Sequence, residues 1–361
     1  MLRATLAGIA VMVAFGQIAV GAETWAQKLG YPAEKRVLIL YADTMGVAYE
    51  FNQPGQELLA QGRIQAVGVM TPCPWFEEFA KWSRENPQHD VGICITLTSP
   101  SKVYRWSPLT GTDRKTSSLV DPDGYMWSSD LQLGLQADIE DVRREIDRQI
   151  QKARAAGIRP SHIHPFMGAL FTREDLLAVY LETAEKNWIP AMIPELTPER
   201  IERIRSEGFP LSEEMIDLVQ NYRLPKLDDT HFIPAADSYE ETKKAFFELV
   251  KGLKPGLTQI TAGPANHTPA IELMAQSWQQ RVWENQLLSD KAVHDFLKAE
   301  GIIFTDWREV MERFENGGVQ LQKKRNLPDP QKDFGINDKD ANQKNEESPQ
   351  VGISPSLPDL D

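Results

Sequence analysis

The stretch RVLILYADTMG, Arg36–Gly46, predicts a buried strand that ends on an acid. An unbroken apolar run follows Arg36, and such runs are typical of parallel strands buried on both faces. In α/β barrels and doubly wound sheets, functional side chains follow the carboxyl ends of the strands. Asp43 stands at that end, and Gly46 lets the chain turn. Asp43 is therefore a candidate site residue; the alternative is that it caps the next helix or turn.

Further apolar segments indicate that this strand is the first of a series. The other predicted strands are Ile64–Met70, Asp90–Thr98, Ser161–Phe166, Trp188–Ile193, His231–Ile233, Leu257–Ala262 and Ile302–Thr305. The predicted helices are Pro54–Gln61, Trp75–Glu85, Ala137–Ala156, Thr172–Asn187, Thr197–Ser206, Ser212–Asn221, Ser238–Gly252, Thr268–Leu288, Asp290–Gly301 and Asp306–Phe314. This alternation predicts an α/β fold, a TIM-like (β/α) barrel of about seven or eight units. A doubly wound open sheet is the alternative.

The two ends of the chain differ in composition from the part between them. Arg3, the apolar run Leu6–Val20 and the small residues up to Ala22 predict a signal peptide over residues 1–22. We therefore expect an exported protein, periplasmic or secreted, with no transmembrane anchor after cleavage. Residues 23–316 would form the barrel domain. From Gly317 the sequence is polar and poor in large apolar residues, which predicts a disordered tail over residues 317–361.

Charge and cysteine content limit the classes of partner and chemistry. The formal net charge of −13 disfavours nucleic acids and anionic membranes as partners. The two cysteines, Cys73 and Cys94, either form a disulfide in an oxidising compartment or remain free thiols. The sequence carries no Gly-rich phosphate loop, no G-x-S-x-G and no HExxH. Common nucleotide, serine-hydrolase and zinc-protease sites are thus not predicted.

The segment Ser99–Gln136 has no convincing periodicity and is rich in aromatic residues. Loops of this length in a compact domain are usually functional or disordered, and the aromatic content argues against disorder. Aromatic rings in a lid over a groove would pack against the apolar faces of sugars. The candidate substrate-binding residues are Tyr104, Arg105, Trp106 and Trp127. The alternative is that these rings pack the loop onto the barrel.

These segments together resemble the YdjC/ChbG-like (ChbG/HpnK) carbohydrate deacetylases. In that family the first strand ends in Ala-Asp-Asp-Phe/Met-Gly, where this chain reads Ala-Asp-Thr-Met-Gly over residues 42–46. The resemblance spans roughly residues 36–314. It is best in Thr71–Phe76, Asp90–Thr98, Tyr104–Pro108, Ile158–Phe171 and Gln276–Trp283. It implies a hydrolase fold in which a divalent metal polarises an acetamide carbonyl and binds the attacking water.

The resemblance also implies a role for each aligned position. In the family the first acid acts as the catalytic base, and Asp43 matches it. The second acid and two histidines hold the metal. Thr44 stands at that acid, Cys94 at the first histidine and Phe166 at the second, and a phenyl ring cannot coordinate a metal. A further histidine near the seventh strand is replaced by Gly263. The inherited metal site is therefore expected to be absent.

The histidines leave a second arrangement open. His162 is retained from the family pattern, and His164 stands at a family acid. Asp43, Cys94 and His164 could converge one layer deeper and bind zinc, or His164 could act in catalysis with Asp43. The alternative is that Cys94 is a small buried hydrophobe and both histidines are hydrogen-bonded core residues. Weaker candidates are His267, His231 and the pair Asp228–Asp229.

Three hypotheses follow. The first is an exported carbohydrate deacetylase homologue that has lost its metal ligands and its catalysis, needs no cofactor, and retains binding of a carbohydrate or glycan. The second is an active N- or O-deacetylase with one divalent metal, Zn, Mg or Mn, at the rearranged site. The third is a cell-envelope interaction protein that uses the acidic surface or the tail.

Overall fold

The computed structural model describes residues 23–115, 117–209 and 211–318. The predicted signal peptide and nearly all of the predicted polar tail lie outside these residues. All described residues belong to one compact unit. Within them, no helix combines the length and the apolar character that crossing a membrane requires.

The strand predicted from RVLILYADTMG is the centre of the sheet. This strand, β1, covers Arg36–Met45, and its residues are almost all buried. Its residues 36–42 pair with residues 256–262 of β6, and its second half pairs with β2. The short strand β7 pairs with residues 37 and 38 of β1. Burial on both faces explains why the sequence of β1 is continuously apolar instead of alternating.

The remaining strands are β2 Ala66–Val69, β3 Asp90–Ile95, β4 Ile163–Pro165, β5 Asp229–Phe232, β6 Gly256–Ala262 and β7 Ile303–Phe304. All strand pairs are parallel, and the order is β4-β3-β2-β1-β6-β5, with β7 beside β1. Isolated parallel bridges join Ile163 to Ala191 and Pro194 to Leu227, between the two edge strands. The sheet is thus curled in the manner of a (β/α) barrel, and the predicted α/β class is confirmed.

Helices follow the strands as the sequence pattern predicts. They are α1 Trp25–Lys28, α2 Tyr49–Ala60, α3 Phe76–Glu85, α4 Asp130–Gln136, α5 Ile139–Ala155, α6 Glu174–Asn187, α7 Pro198–Ser206, α8 Glu213–Asn221, α9 Tyr239–Gly252, α10 Pro269–Met274, α11 Trp278–Ser289, α12 Lys291–Ala299 and α13 Trp307–Arg313. A 3₁₀ segment covers Phe166–Phe171, and a π-helical turn covers Phe314–Gly318.

Three predicted elements differ in kind from the structure, and the helix predicted at Pro54–Gln61 begins earlier, at Tyr49. The strand predicted at Trp188–Ile193 is present only as single bridges, because Trp188 is left-handed (φ 56°) and Pro190 and Pro194 lack the N–H that a ladder needs. The helix predicted at Thr268–Leu288 is divided into α10 and α11, since Ala275 is extended. The loop Ser99–Gln136 contains α4, capped by Ser129.

Polar side chains fill the space enclosed by the sheet. The Tyr41 ring lies 5.2 Å from the His162 ring and 5.0 Å from the His164 ring, measured between centroids. A side chain at Gly68 would collide with the Tyr41 hydroxyl, and one at Gly92 would collide with the His162 ring. The two glycines are partners in the pairing of β2 with β3. They make room for this polar layer beneath the carboxyl ends of the strands.

Candidate functional site

Asp43, Cys94 and His164 come together where β1, β3 and β4 end. Cys94 and His164 are directly paired across β3 and β4. His164 Nε2 lies 3.9 Å from Asp43 Oδ2. His164 is thus the residue that lies beside both Asp43 and Cys94, and a shared site of the three stays a prediction. Whether it constitutes a catalytic or a metal site depends on the protonation and the remaining contacts of each group.

Asp43 is held in an environment that disfavours its charged form. Its side chain is 13 % exposed, and its Oδ1 atom is buried without a hydrogen-bond partner. Burial raises the pKa of Asp43 to about 6, against the opposing effect of the Arg281 charge, while Glu284 raises the pKa further. A carboxyl with such a pKa exchanges a proton near neutral pH, which is a property common to functional carboxyls. Asp43 does not cap α2, whose N-cap is Ala48, and it stays a candidate site residue.

His164 is neutral over the physiological pH range. Burial lowers the pKa of His164 to about 3, and the neighbouring His162 acts in the same direction. The Nδ1 atom of His164 is buried and has no hydrogen-bond partner. A neutral imidazole beside a carboxyl of raised pKa forms a weak pair and not a fixed ion pair. Both groups therefore retain hydrogen-bonding capacity that the protein itself does not satisfy.

His162 is engaged in the core. Its Nδ1 atom contacts the Ser161 hydroxyl at 2.9 Å and the Asp90 carboxylate at 3.4 Å, and its ring stacks on Trp307. Although Asp90 is buried, the hydrogen bonds from His162 and Ser161 hold its pKa below the usual range. The Arg308 backbone N–H also donates to this carboxylate. The interpretation of His162 as a hydrogen-bonded core histidine describes these contacts.

A residue that sequence reasoning did not single out, Arg281 on α11, completes the site. A Cβ atom built on Gly263 would lie 2.5 Å from Arg281 Nη1, so the guanidinium occupies the space of a side chain at position 263. The same guanidinium contacts Glu284 at 3.3 Å, and Glu284 accepts the Gly263 backbone N–H at 2.7 Å. The one available signal was that Arg281 lies in the well-matched segment Gln276–Trp283.

The residues around Asp43 do not fit a divalent metal. Thr44 offers a neutral hydroxyl, Phe166 offers no donor atom, and a permanent cation occupies the space beside Gly263. Burial raises the pKa of the Cys94 thiol well above its usual range, so the thiol is protonated in the metal-free protein and a metal would have to displace this proton. Across the described ranges, no group of three His, Cys, Asp or Glu side chains is arranged to hold a metal ion.

Both cysteines are buried free thiols in the structure. Burial also raises the pKa of Cys73, although the charge of Lys152 opposes this effect. Of the two alternatives left open by the sequence, the structure therefore has free thiols and no disulfide. A protonated, fully buried Cys94 beside a neutral His164 is also unsuited to nucleophilic catalysis.

The aromatic side chains of the long loop are mostly turned inwards. The Trp106 and Trp127 rings are buried, and their indole N–H groups donate to the carbonyls of Thr98 and Ser118. Arg105 forms an ion pair with Asp121 at 2.6 Å. These contacts correspond to the alternative in which the rings pack the loop onto the barrel. A substrate-binding role for any of them stays a prediction.

Tyr104 is the fourth predicted residue of this loop and has a different position. Its ring is half-buried, and its hydroxyl donates to the Val47 carbonyl at 2.9 Å, just beyond the end of β1. Burial raises the pKa of Tyr104 to about 12. The Tyr104 hydroxyl thus joins the loop to the segment that follows Asp43.

The weaker histidine and acid candidates are engaged elsewhere. His231 lies 3.1 Å from Asp229, which also pairs with Arg200. Asp228 accepts backbone N–H groups from α1 and β6. His267 contacts Glu272 at 2.7 Å and stacks on the Trp278 ring.

Comparison with known proteins gives one consistent result. The family model for YdjC-like proteins matches residues 37–299. A carbohydrate deacetylase of Thermus thermophilus is 30 % identical over 278 residues, covering 77 % of this chain and 95 % of the relative. A carbohydrate deacetylase of Thermoanaerobacter pseudethanolicus is 24 % identical over 272 residues, covering 75 % of this chain and 98 % of the relative.

The fold has a close counterpart among solved structures. A crystal structure from Enterococcus faecalis, described as that of a cellobiose-phosphate cleavage protein, superposes with a TM-score of 0.62. The two sequences are 22 % identical, and the match covers 76 % of this chain and 99 % of the other. The resemblance stated from the sequence is thereby confirmed, and the curled parallel sheet is the fold of that structure.

Proposed function

The chain belongs to the YdjC-like family, and on that premise we propose that it is an exported carbohydrate-binding homologue of the carbohydrate deacetylases that has lost metal-dependent catalysis. The proposed location is the periplasm or the exterior of the cell, and it rests on the composition of residues 1–22. The proposed architecture is a (β/α) barrel of seven or eight units, in which the segment around residues 190–195 lies between β4 and β5.

The position of Arg281 is the observation that carries this proposal. Its guanidinium fills the space beside Gly263 and acts electrostatically on Asp43. An arginine is protonated at every physiological pH. A divalent cation at the same place would be repelled by it and would find no compensating carboxylate at Thr44 or imidazole at Phe166. The residues at positions 44 and 166 thus supply no ligand, and the space beside Gly263 holds a positive charge.

The remaining groups are suited to binding sugar hydroxyls. Asp43 Oδ1 and His164 Nδ1 are buried without partners, as is the Thr44 hydroxyl. Arg281 can donate hydrogen bonds, and a carboxylate or a hydroxyl can accept them. A polyhydroxy ligand presents donors and acceptors in alternation and would pair with the accessible parts of Asp43 and Arg281, whose side chains are 13 % and 32 % exposed, without any bond being broken. The carbohydrate substrates implied by the names of the relatives make such a ligand the natural choice.

The competing candidate is an active deacetylase with a metal at Asp43, Cys94 and His164. Its support is the 3.9 Å approach of His164 to Asp43 and the direct pairing of His164 with Cys94. Against it, no group of three His, Cys, Asp or Glu side chains within the described residues is arranged to hold a metal ion.

Acetate release from N-acetylated chito-oligosaccharides and O-acetylated xylan, measured with added Zn²⁺, Mn²⁺ or Mg²⁺, separates the two candidates. We expect no release above the level of Asp43→Ala, together with measurable binding of the oligosaccharides by calorimetry. Release that chelator and Asp43→Ala both abolish would establish the active enzyme instead. If the folded protein neither releases acetate nor binds any glycan, the proposed carbohydrate function is wrong.

A restored variant serves as the matched comparison. Thr44→Asp, Cys94→His and Phe166→His would return the three ligands, and Arg281→Ala would remove the opposing charge. We expect this variant to bind zinc when the wild-type chain does not. Zinc binding by the three ligand changes alone, with Arg281 in place, would show that the guanidinium is not the obstacle.

A further inference from the structure

Two aromatic rings are exposed beside the turn that follows Asp43. Tyr49 is the first residue of α2 and is 47 % exposed, and Trp75 immediately precedes α3 and is 40 % exposed. Their ring centroids are 5.6 Å apart, and the rings are tilted by 51°. All nine tryptophans lie in the described residues, and Trp75 is the only one of them that is exposed. An exposed pair of large rings is unusual enough to need an explanation.

Asn52 fixes this pair to the end of β1. Its side chain is fully buried, accepts the Gly46 backbone N–H at 2.6 Å and donates to the Trp75 carbonyl at 3.0 Å. A second bond from its amide reaches Glu78 at 2.6 Å. The Trp75 backbone N–H also donates to the Gly46 carbonyl at 2.9 Å. The backbone of Trp75 is therefore held rigidly to Gly46, three residues after Asp43. A ligand that binds the ring thus orders little of the protein backbone, and the entropic cost of binding is small.

Helix capping does not account for Trp75. The residue before a helix is most often Ser, Thr, Asp or Asn, whose side chain caps a free backbone N–H. Trp75 stands at that position of α3 and makes no side-chain cap. The position thus forgoes a stabilising contact and presents a large ring to solvent. Departures of this kind concentrate at functional sites.

Polar groups border the two rings. Glu50 and Gln53 follow Tyr49 on α2, and they hydrogen-bond to Thr268 and Asn266 of the loop after β6. The half-buried Tyr104 approaches from the long loop through the Val47 carbonyl. Rings with a polar border fit a sugar, whose C–H face is apolar and whose edge carries hydroxyls. The acidic character of the chain favours a neutral glycan over a polyanionic one.

We propose that Tyr49 and Trp75 form a stacking subsite for a second unit of a neutral oligosaccharide whose first unit binds at Asp43. This inference rests on the proposed function and extends it, because it makes an oligosaccharide and not a monosaccharide the preferred ligand. Trp75 supplies the main stacking face, and Tyr49 holds the adjoining edge of the sugar ring.

The test is the dependence of affinity on glycan length. Chito-oligosaccharides of one to four units are titrated calorimetrically into the full chain and into Trp75→Ala. In the wild type the affinity should rise from one unit to two. In Trp75→Ala the affinity for the single unit should be unchanged, while that for longer glycans should fall about tenfold, which corresponds to the loss of about 1.4 kcal/mol of stacking.

Two variants make the result specific. Trp75→Phe keeps a ring and should retain most of the length dependence. Phe209→Ala removes an aromatic side chain that is 36 % exposed in the turn between α7 and α8, and it should change no affinity. Glycan addition should also alter the tryptophan fluorescence of the wild type and protect it from acrylamide, and both effects should be lost in Trp75→Phe.

The outcomes distinguish the two proposals. Equal affinities of the wild type and Trp75→Ala for every length would overturn the subsite and leave the proposed function in place. A change of oligomeric state in Trp75→Ala without any change of glycan affinity would overturn it as well, in favour of contact with a second copy. Failure of the wild-type protein to bind any glycan would overturn the proposed function and the subsite together.

Discussion

Asp43→Asn tests the electrostatic account of the site through stability. The pKa of Asp43 is raised from 3.8 to about 6, mainly by burial. The folded state therefore binds the proton more tightly than the unfolded state, and stability falls as pH rises from about 3.8 to above 6. At 1.36 kcal/mol for each pKa unit, keeping Asp43 ionised costs about 3 kcal/mol at high pH. The amide side chain introduced by Asp43→Asn is neutral at every pH and avoids this cost.

The expected result is a pH-dependent gain in stability. Relative to the wild type, Asp43→Asn should gain about 2 kcal/mol more in unfolding free energy at pH 8 than at pH 4.5, because most of the Asp43 titration lies between these values. Urea unfolding followed by circular dichroism at both pH values measures the difference. The comparison between two proteins at the same pH cancels the titration of all other groups that the substitution does not affect.

A bound metal would reverse the sign of this effect. A carboxylate that ligates a cation has a depressed pKa, so Asp43→Asn would then lose stability at pH 8. The experiment is therefore repeated with chelator and with Mn²⁺. A difference between mutant and wild type that does not vary with pH, or a destabilisation at pH 8, would refute the reasoning.

Three further predictions concern packing, docking and thiol reactivity. Gly92→Ala should destabilise the fold by about 3 kcal/mol, because its Cβ would lie 2.5 Å from the backbone carbonyl oxygen of His162. Gly263→Ala should cost less than about 1 kcal/mol, since its Cβ would meet only the far end of the long Arg281 side chain. Urea unfolding compares the two variants, and equal losses of stability would contradict the difference. Asp228→Ala should lower the free energy of unfolding by about 3 kcal/mol and make α1 susceptible to limited proteolysis. The reason is that the Asp228 carboxylate accepts three backbone N–H groups at 2.8, 3.0 and 2.8 Å. An unchanged digestion pattern would contradict this role. Both cysteine thiols should react with Ellman's reagent only after unfolding, since both are buried, and rapid reaction of the native protein would show that they are accessible.

Much of the fold is predictable from the sequence because burial leaves a direct trace in it. The run after Arg36 is apolar because both faces of β1 are covered, and the helical periods of α5 and α9 report a single buried face. The strand expected at Trp188–Ile193 fails for a reason that is also local, since prolines at 190 and 194 cannot complete a ladder. Local chemistry thus explains this error as well as the successes.

The site is less predictable because its members meet only in the folded chain. Gly263 reads in the sequence as a missing side chain, and only the structure shows that Arg281, from another element, occupies its space. Trp75 shares a helical period with Phe79 and Trp82, which predicts a buried face. In the structure Trp75 precedes the helix and has non-helical dihedrals, so its ring leaves that face.

The loop Ser99–Gln136 shows the same limit. Its aromatic residues suggest a lid, but the fully buried Glu145 of α5 accepts the backbone N–H groups of Leu109 and Thr110 and ties this part of the loop down. No pattern within the loop sequence predicts that Glu145, on a later helix, binds the loop backbone. The packing of Trp106 and Trp127 follows from contacts of this kind.

The metal content of the chain tests the central claim most directly. The full chain, purified without a histidine tag, is equilibrated with zinc, manganese or magnesium, dialysed and subjected to elemental analysis. We predict no stoichiometric metal in the folded protein, and no difference between the wild type and Asp43→Ala or His164→Ala. One metal ion for each chain that either substitution removes would contradict the claim and establish a rearranged metal site.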